Sequence, residues 1–181
     1  MKETLRLAAA VGVVILAALL FVRLQAGKGY ALQPGAAAPD FRLPALAGGE
    51  LGLSAYRGRP VLLNFWATWC PPCVDEMPSL QRLHTTLAGD GLVLLSVSVD
   101  EDGATLRRFV SEHGVTFPVL RDPGGRQAAN AYHTTGYPET FWIDPAGVIQ
   151  EVYVGPQEWD SPGALGHFRT LLNAPSTSPT R

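Results

Sequence analysis

A short apolar run, Val61 to Phe65, passes through Trp66-Ala67-Thr68-Trp69 into Cys70-Pro71-Pro72-Cys73, and helical spacing follows. This junction constrains the fold more than any other stretch. It asks for a buried strand that turns directly into a helix, with a cysteine on either side of the turn. The chain has 2 cysteines in all, and both lie here. Positions three apart on a helix are neighbours, so the two sulfurs can bond without moving the backbone. A Cys-x-x-Cys pair at a strand-to-helix junction is the layout of a dithiol/disulfide redox centre. With no further cysteine, the pair bonds to itself, to a partner protein or to a metal.

Cys70 is expected at the N-cap, where unpaired amides and the helix dipole favour negative charge. A thiolate is stabilised there, and the thiolate is the nucleophile of disulfide exchange. Pro71 suits the first helical position, having a fixed φ and no N–H. Pro72 removes a second donor. The amides of Cys73 and Val74 are then the main ones left to face the Cys70 sulfur. The Cys70 thiol is expected below its ordinary pKa, held there by fewer donors than a motif with a non-proline residue would offer. Cys73, one turn deeper, is the natural resolving thiol. A zinc site would need two more ligands. His84, His113, His133 and His167 are scattered along the chain, so no metal is expected and no cofactor is called for. A structural staple closing so short a loop would stabilise little.

The chain has 181 residues, 46% of them apolar, enough for one cored domain with appendages. The net charge is −2 and no basic block occurs, so nucleic-acid binding has no electrostatic footprint. Leu7 to Val22 carries no charge and lies between Arg6 and Arg23. It is at the short end for a membrane span and the long end for a signal-peptide core. Leu24 spoils the −3 position of the cleavage candidate after Ala26, and no cysteine follows for lipoprotein processing. An uncleaved anchor over residues 1–26 is therefore favoured over a cleaved signal. Lys2 and Arg6 against Arg23 and Lys28 leave the charge rule for orientation nearly balanced. Residues 27–37 read as a tether, 38–173 as the folded domain and 174–181 as a disordered Pro/Ser/Thr-rich tail.

Within the domain, Gly48-Gly49 suggests a hairpin turn between Phe41–Leu43 and Glu50–Leu53. Pro72 to Leu87 is expected to be helical, with Val74, Met77, Leu80, Leu83 and Leu87 as its buried stripe and a kink at Pro78. Leu92–Val99 reads as a strand and Ala104–His113 as a helix. Thr116–Leu120 reads as a strand and Gly125–Tyr132 as a modest helix. Glu139–Ile143 and Val148–Val154 read as a hairpin, and Pro162–Asn173 as a final helix. The pattern implies an α/β sandwich around a mixed sheet.

The chain resembles the membrane-anchored thioredoxin-like proteins of the TlpA, ResA and CcmG (DsbE) group. The resemblance rests on Ala38-Pro39-Asp40-Phe41, Asn64 through Cys73, Glu76-Met77-Pro78 and Gly136 through Phe141, and runs from about Ala38 to about Gly155. It implies a thioredoxin fold with an N-terminal β-hairpin and an inserted helix-strand segment near Gly103–Leu120. It also implies a thiol-disulfide oxidoreductase that acts as a reductant outside the cytoplasm, anchored by one transmembrane helix in the bacterial inner membrane and often serving cytochrome c maturation. By that match Pro138 aligns with the cis-proline lying against the Cys-x-x-Cys, leaving the Tyr137 backbone to pair with substrate. An ordinary turn proline is the plainer alternative. Glu76 matches the acidic residue of the active-site helix and shares a face with Cys73. If buried it could accept the Cys73 proton; the plainer alternative is an acidic residue near the helix N-terminus that stabilises the dipole. Asn64 stands where cytoplasmic thioredoxins carry a buried aspartate, which favours Glu76 as the relay. Trp69 would shield the disulfide and offer a flat surface to a partner, while Trp66 reads as core. Tyr137 and Trp142 are bulkier than the family leads one to expect. Pro138-Glu139-Thr140 leans toward the CcmG branch.

The leading function is thus a protein-disulfide reductase for exported proteins, with apocytochrome c as a plausible target and a membrane electron donor of the DsbD or CcdA kind. The alternatives are a general redox-homeostasis reductant and a peptide-binding or chaperone module built on Trp69, Tyr137 and Pro138. A pure binding module would survive replacement of both cysteines by alanine. A peroxiredoxin fails on spacing. That chemistry wants Pro-x-x-x-Thr-x-x-Cys, and Ala67 and Leu63 occupy those positions.

Overall fold

The computed structural model describes residues 32–175, together with Gly12, Ile15 and Leu16. The chain divides into a unit of residues 1–30 and a unit of residues 31–181. In the first, the three described residues are helical. Apart from those three residues, the expected anchor over Leu7–Val22 lies outside the described residues, as do residues 27–31 of the tether and the tail beyond residue 175. Among the described residues no helix is long and apolar enough to cross a membrane.

The second unit opens with a hairpin of β1 (Arg42–Pro44) and β2 (Glu50–Gly52), paired antiparallel around the Gly48-Gly49 turn. Gly52 is needed there, because a Cβ would come within 2.0 Å of the Phe41 carbonyl oxygen. After a 3-10 turn, β3 (Val61–Trp66) runs into α1 (Pro71–Leu87). Then come β4 (Val93–Ser98), α2 (Gly103–Glu112), β5 (Val119–Arg121), a short α3 (Ala128–Ala131), β6 (Glu139–Ile143), β7 (Ile149–Val154) and α4 (Pro162–Leu172).

Five strands form one mixed sheet in the order β5-β4-β3-β6-β7. β3 pairs parallel with β4 and antiparallel with β6; β4 pairs parallel with β5, and β6 antiparallel with β7. The apolar runs of β3 and β4 are buried along their whole length, as central strands covered on both faces must be. Successive residues alternate between faces. Asn64 and Thr140 face α1, whereas Phe65 and Phe141 meet Tyr132 on the other side, with ring centroids 5.3 and 5.0 Å away. α2 and β5 form the insertion between β4 and the remainder of the sheet. The stretch before and within the hairpin also pairs with the sheet. Ala37 bridges to Val148, and Ala45 bridges to Leu120.

Three local expectations change. The strand placed at Thr116–Leu120 begins only at Val119. The Thr116 amide donates to Gln81 Oε1 (2.9 Å), and Pro118 has no amide to give. The helix placed at Gly125–Tyr132 is broken, because Gly124 and Gly125 take φ of 66° and 67°. Only Ala128–Ala131 is helical, its start held by Asp122, which accepts from the amides of Gln127 and Ala129 at 3.0 Å each. On α1 the buried stripe does hold Met77, Leu80, Leu83 and Leu87, but Val74 is only half-buried, and Cys73, Glu76 and Ser79 turn inward. A carboxylate on the core face is therefore the feature of this helix that apolar periodicity could not reveal.

Candidate active site

Cys70 is the N-cap of α1, with φ −99° and ψ 102°, and the two prolines occupy the first helical positions. It forms a disulfide with Cys73, with Cα atoms 5.3 Å apart. Cys70 is 5% exposed and Cys73 0%. Cys70 keeps a small solvent-exposed area, and Cys73 is closed off beneath the helix start. One expectation is corrected here. The amides of Cys73 and Val74 donate to the Cys70 carbonyl oxygen, at 3.0 and 3.1 Å, and not toward its sulfur. With Pro71 and Pro72 lacking N–H, the first helical hydrogen bonds take up the amides expected to face the sulfur. The neighbour of Cys70 Sγ is instead the carbonyl oxygen of Tyr137, 3.5 Å away.

That carbonyl belongs to the cis peptide bond between Tyr137 and Pro138. Pro138 is buried and Tyr137 half-buried. Trp69, just before the disulfide, is 64% exposed. Its ring meets that of Tyr137 edge-on, centroids 6.1 Å apart. Cys70, Trp69, Tyr137 and Pro138 thus share one rim, with a flat aromatic surface beside the disulfide. The Tyr137 hydroxyl reaches across to the Gly124-Gly125 turn, where a Cβ on Gly125 would lie 2.9 Å from it.

Glu76 lies one turn beyond Cys73 and is 3% exposed. Its Oε1 accepts from Asn64 Nδ2 (3.1 Å), and its Oε2 accepts from Trp159 Nε1 (2.9 Å) and the Gln157 amide (3.1 Å). Burial pushes its carboxyl up to about 7, against the opposing pull of the three donors. The carboxyl is enclosed on the core side of the helix. A carboxyl that titrates near neutrality can both take and release a proton at ambient pH. Among the described residues no cluster of metal-ligating side chains occurs.

Four supporting residues escaped sequence reasoning. Trp159 and Gln157 stand some eighty positions from Glu76, on the loop before α4, and no local pattern links them; the one available hint is that a buried indole N–H needs an acceptor. Asp100 is buried at the end of β4. It accepts from the Thr68 amide (3.0 Å), the Thr68 hydroxyl and the Ser98 hydroxyl (2.6 Å each), pinning the loop that leads to Cys70. Glu139, directly after Pro138, is buried within β6. Its Oε2 accepts from the Thr135 amide (2.9 Å), bracing the segment that ends in the cis bond. Burial pushes its carboxyl above the ordinary value.

Comparison with known proteins agrees with this geometry. Residues 34–152 match the AhpC/TSA family. The thioredoxin-like protein YneN of Bacillus subtilis (strain 168) is 40% identical over 131 residues, covering 71% of this chain and 75% of that protein. The thiol-disulfide oxidoreductase ResA of Geobacillus kaustophilus (strain HTA426) is 41% identical over 125 residues, covering 69% and 71%. Among solved structures, a putative thiol:disulfide interchange protein DsbE from Chlorobium tepidum superposes with a TM-score of 0.72 at 29% identity, over 79% of this chain and 100% of that one.

Proposed function

This chain belongs to the AhpC/TSA family and, within it, to the thiol-disulfide oxidoreductases of the ResA type, and from that premise we propose that it reduces disulfides of exported proteins, apocytochrome c among them. In the reduced protein the Cys70 thiolate attacks one sulfur of a substrate disulfide. A mixed disulfide forms and the first substrate thiolate leaves. Cys73 then loses its proton to Glu76 and attacks Cys70 Sγ. The Cys70–Cys73 bond forms and the second substrate thiolate departs, so two electrons have passed to the substrate. Trp69, Tyr137 and Pro138 supply the surface on which the substrate strand lies. A membrane donor of the DsbD or CcdA kind returns the electrons, and the apolar run Leu7–Val22 holds the domain on the extracytoplasmic side of the membrane.

The observation that carries the reading is Glu76. A buried carboxyl with three neutral donors, titrating near neutrality, sits one helical turn from the enclosed sulfur that must lose a proton during turnover. A disulfide serving only as a staple has no use for such a group. The test mixes the reduced protein with an oxidised Cys-x-x-Cys-His peptide, the haem-attachment sequence of c-type cytochromes, and with an unrelated disulfide peptide. Reduction of the first faster than the second supports the cytochrome assignment. Equal rates favour a general reductant. Reduction of neither overturns the reductase reading.

A further inference from the structure

Asn64 lies in the middle of a polar row that crosses three central strands. Its register partners are Thr140 on β6 and Ser96 on β4. Cross-strand partners share a face, and all three side chains are buried. The amide nitrogen Nδ2 is fully used, donating to Glu76 Oε1 at 3.1 Å and to Thr140 Oγ1 at 2.9 Å. The amide oxygen Oδ1 has no partner, and neither does Ser96 Oγ beside it. Two orphaned polar atoms on adjacent strands, in a region with no access to solvent, call for an explanation.

The surroundings of Glu76 provide one. Every group bonded to its carboxyl is a donor: Asn64 Nδ2 from β3, and Trp159 Nε1 and the Gln157 amide from the loop before α4. No charged side chain contributes to its titration; burial and these neutral donors account for it. Cys73, on its own helix, is the remaining ionisable neighbour. Three donors suit a carboxylate. They do not suit the neutral acid, which carries an O–H of its own and needs an acceptor.

We propose that Asn64 is the positioning residue that reverses its side-chain amide when Glu76 takes up a proton, so that Oδ1 accepts from the Glu76 and Thr140 hydroxyls while Nδ2 turns to Ser96 Oγ. This rests on the reading that Glu76 receives the Cys73 proton. No covalent bond changes in the reversal. Rotation about the Cβ–Cγ bond exchanges the two ends of the amide. Thr140 passes from acceptor to donor, and Ser96 Oγ, without a partner in the ionised state, becomes the acceptor for Nδ2. Hydroxyls can do both, which is why the row works in either state. Aspartate at 64 would place a second carboxylate against Glu76, and an apolar residue would leave the neutral acid without an acceptor. The amide is the side chain of this size that serves both forms.

The experiment follows the side-chain amide of Asn64 and the carboxyl carbon of Glu76 together by NMR, in the full chain labelled at asparagine nitrogen and glutamate Cδ, from pH 5 to 9. The expected result is a change in both Asn64 Nδ2 proton shifts with the same midpoint as Glu76. Static Asn64 signals through the Glu76 titration overturn the proposal. So does a Glu76 carboxyl that keeps one charge state across the range, because no acceptor is then required. The readout follows Glu76 itself, whatever the source of its proton. Failure of the amide reversal therefore differs from failure of the proton-acceptor reading, which would show as unaltered exchange kinetics in Glu76→Gln.

Discussion

Replacing Glu76 by glutamine should remove a pH dependence from the stability of the fold, and its size follows from the burial of that carboxyl. In the folded chain the group titrates at about 7, against 4.5 when unburied. Between those values the folded state binds more protons at this site than the unfolded state. Stability must therefore fall as pH rises. Its contribution is complete below 4.5 and is lost as pH passes through about 7. At about 1.4 kcal/mol for each pH unit in that window, the loss amounts to about 3 kcal/mol. Urea unfolding of the oxidised protein, followed by tryptophan fluorescence at pH 4 to 9, measures it. The difference in unfolding free energy between the native chain and Glu76→Gln should shift by about 3 kcal/mol in favour of the variant across the window, then stay level. Glu139, also raised by burial, is present in both proteins and drops out of the difference. A constant offset is immaterial, since the introduced amide bonds differently with Asn64. Parallel stability curves would show that the Glu76 carboxyl does not titrate as its burial requires.

Other consequences are open to simpler assays. Trp159→Phe removes the indole N–H from Glu76 Oε2 but keeps an aromatic ring against Tyr153 and Phe168; the lost preference for the ionised form should move the Glu76 midpoint up by about one pH unit, and the pH–rate profile of disulfide exchange with it. Iodoacetamide should alkylate Cys70 before Cys73 in the reduced protein, since the inner sulfur is fully enclosed, and Cys73→Ala should accumulate mixed disulfides where Cys70→Ala does not; mass mapping decides both. Asp100→Ala leaves the Thr68 amide without its acceptor, costs about 1–3 kcal/mol in unfolding experiments, and should slow exchange by loosening the loop before Cys70.

What the sequence revealed and what it hid divide along a physical line. Features written in contiguous residues were legible. Val61–Phe65 reads as a buried strand by its apolar run, interrupted only at Asn64, the Gly48-Gly49 turn by its composition, and the Cys70 N-cap by the prolines that follow it. Features made by residues distant along the chain were not. Trp159 and Gln157 meet Glu76 only because the loop before α4 returns across the end of α1, and Asp100 meets Thr68 only because β4 lies beside β3. The misassigned amides at Cys70 are a subtler failure. Counting donors at a helix start gave the right residues, but the Cys70 carbonyl oxygen competes with its sulfur for them, and backbone closure of the first turn takes precedence. The inward carboxyl of Glu76 breaks the apolar stripe of α1, and apolar periodicity has no means of signalling it.

The residues leading into the hairpin have a role beyond joining the domain to what precedes it. At one end of the stretch, the Gly35 amide donates to the Ile149 carbonyl and the Ile149 amide to that of Ala36. At the other, the Leu46 amide donates to the carbonyl of Val119. β7 and β5 are the two outermost strands, so a single strap touches both margins of the sheet. Five strands span about 19 Å between outer axes, and the seven steps from Ala38 to Ala45 reach about 23 Å when extended, just enough to cross. Unpaired margins are where sheets of separate molecules stitch together. The strap occupies part of both, and Phe41 and Leu43 are buried along its course. It thereby guards a domain with an exposed tryptophan beside its disulfide from self-association through its own backbone.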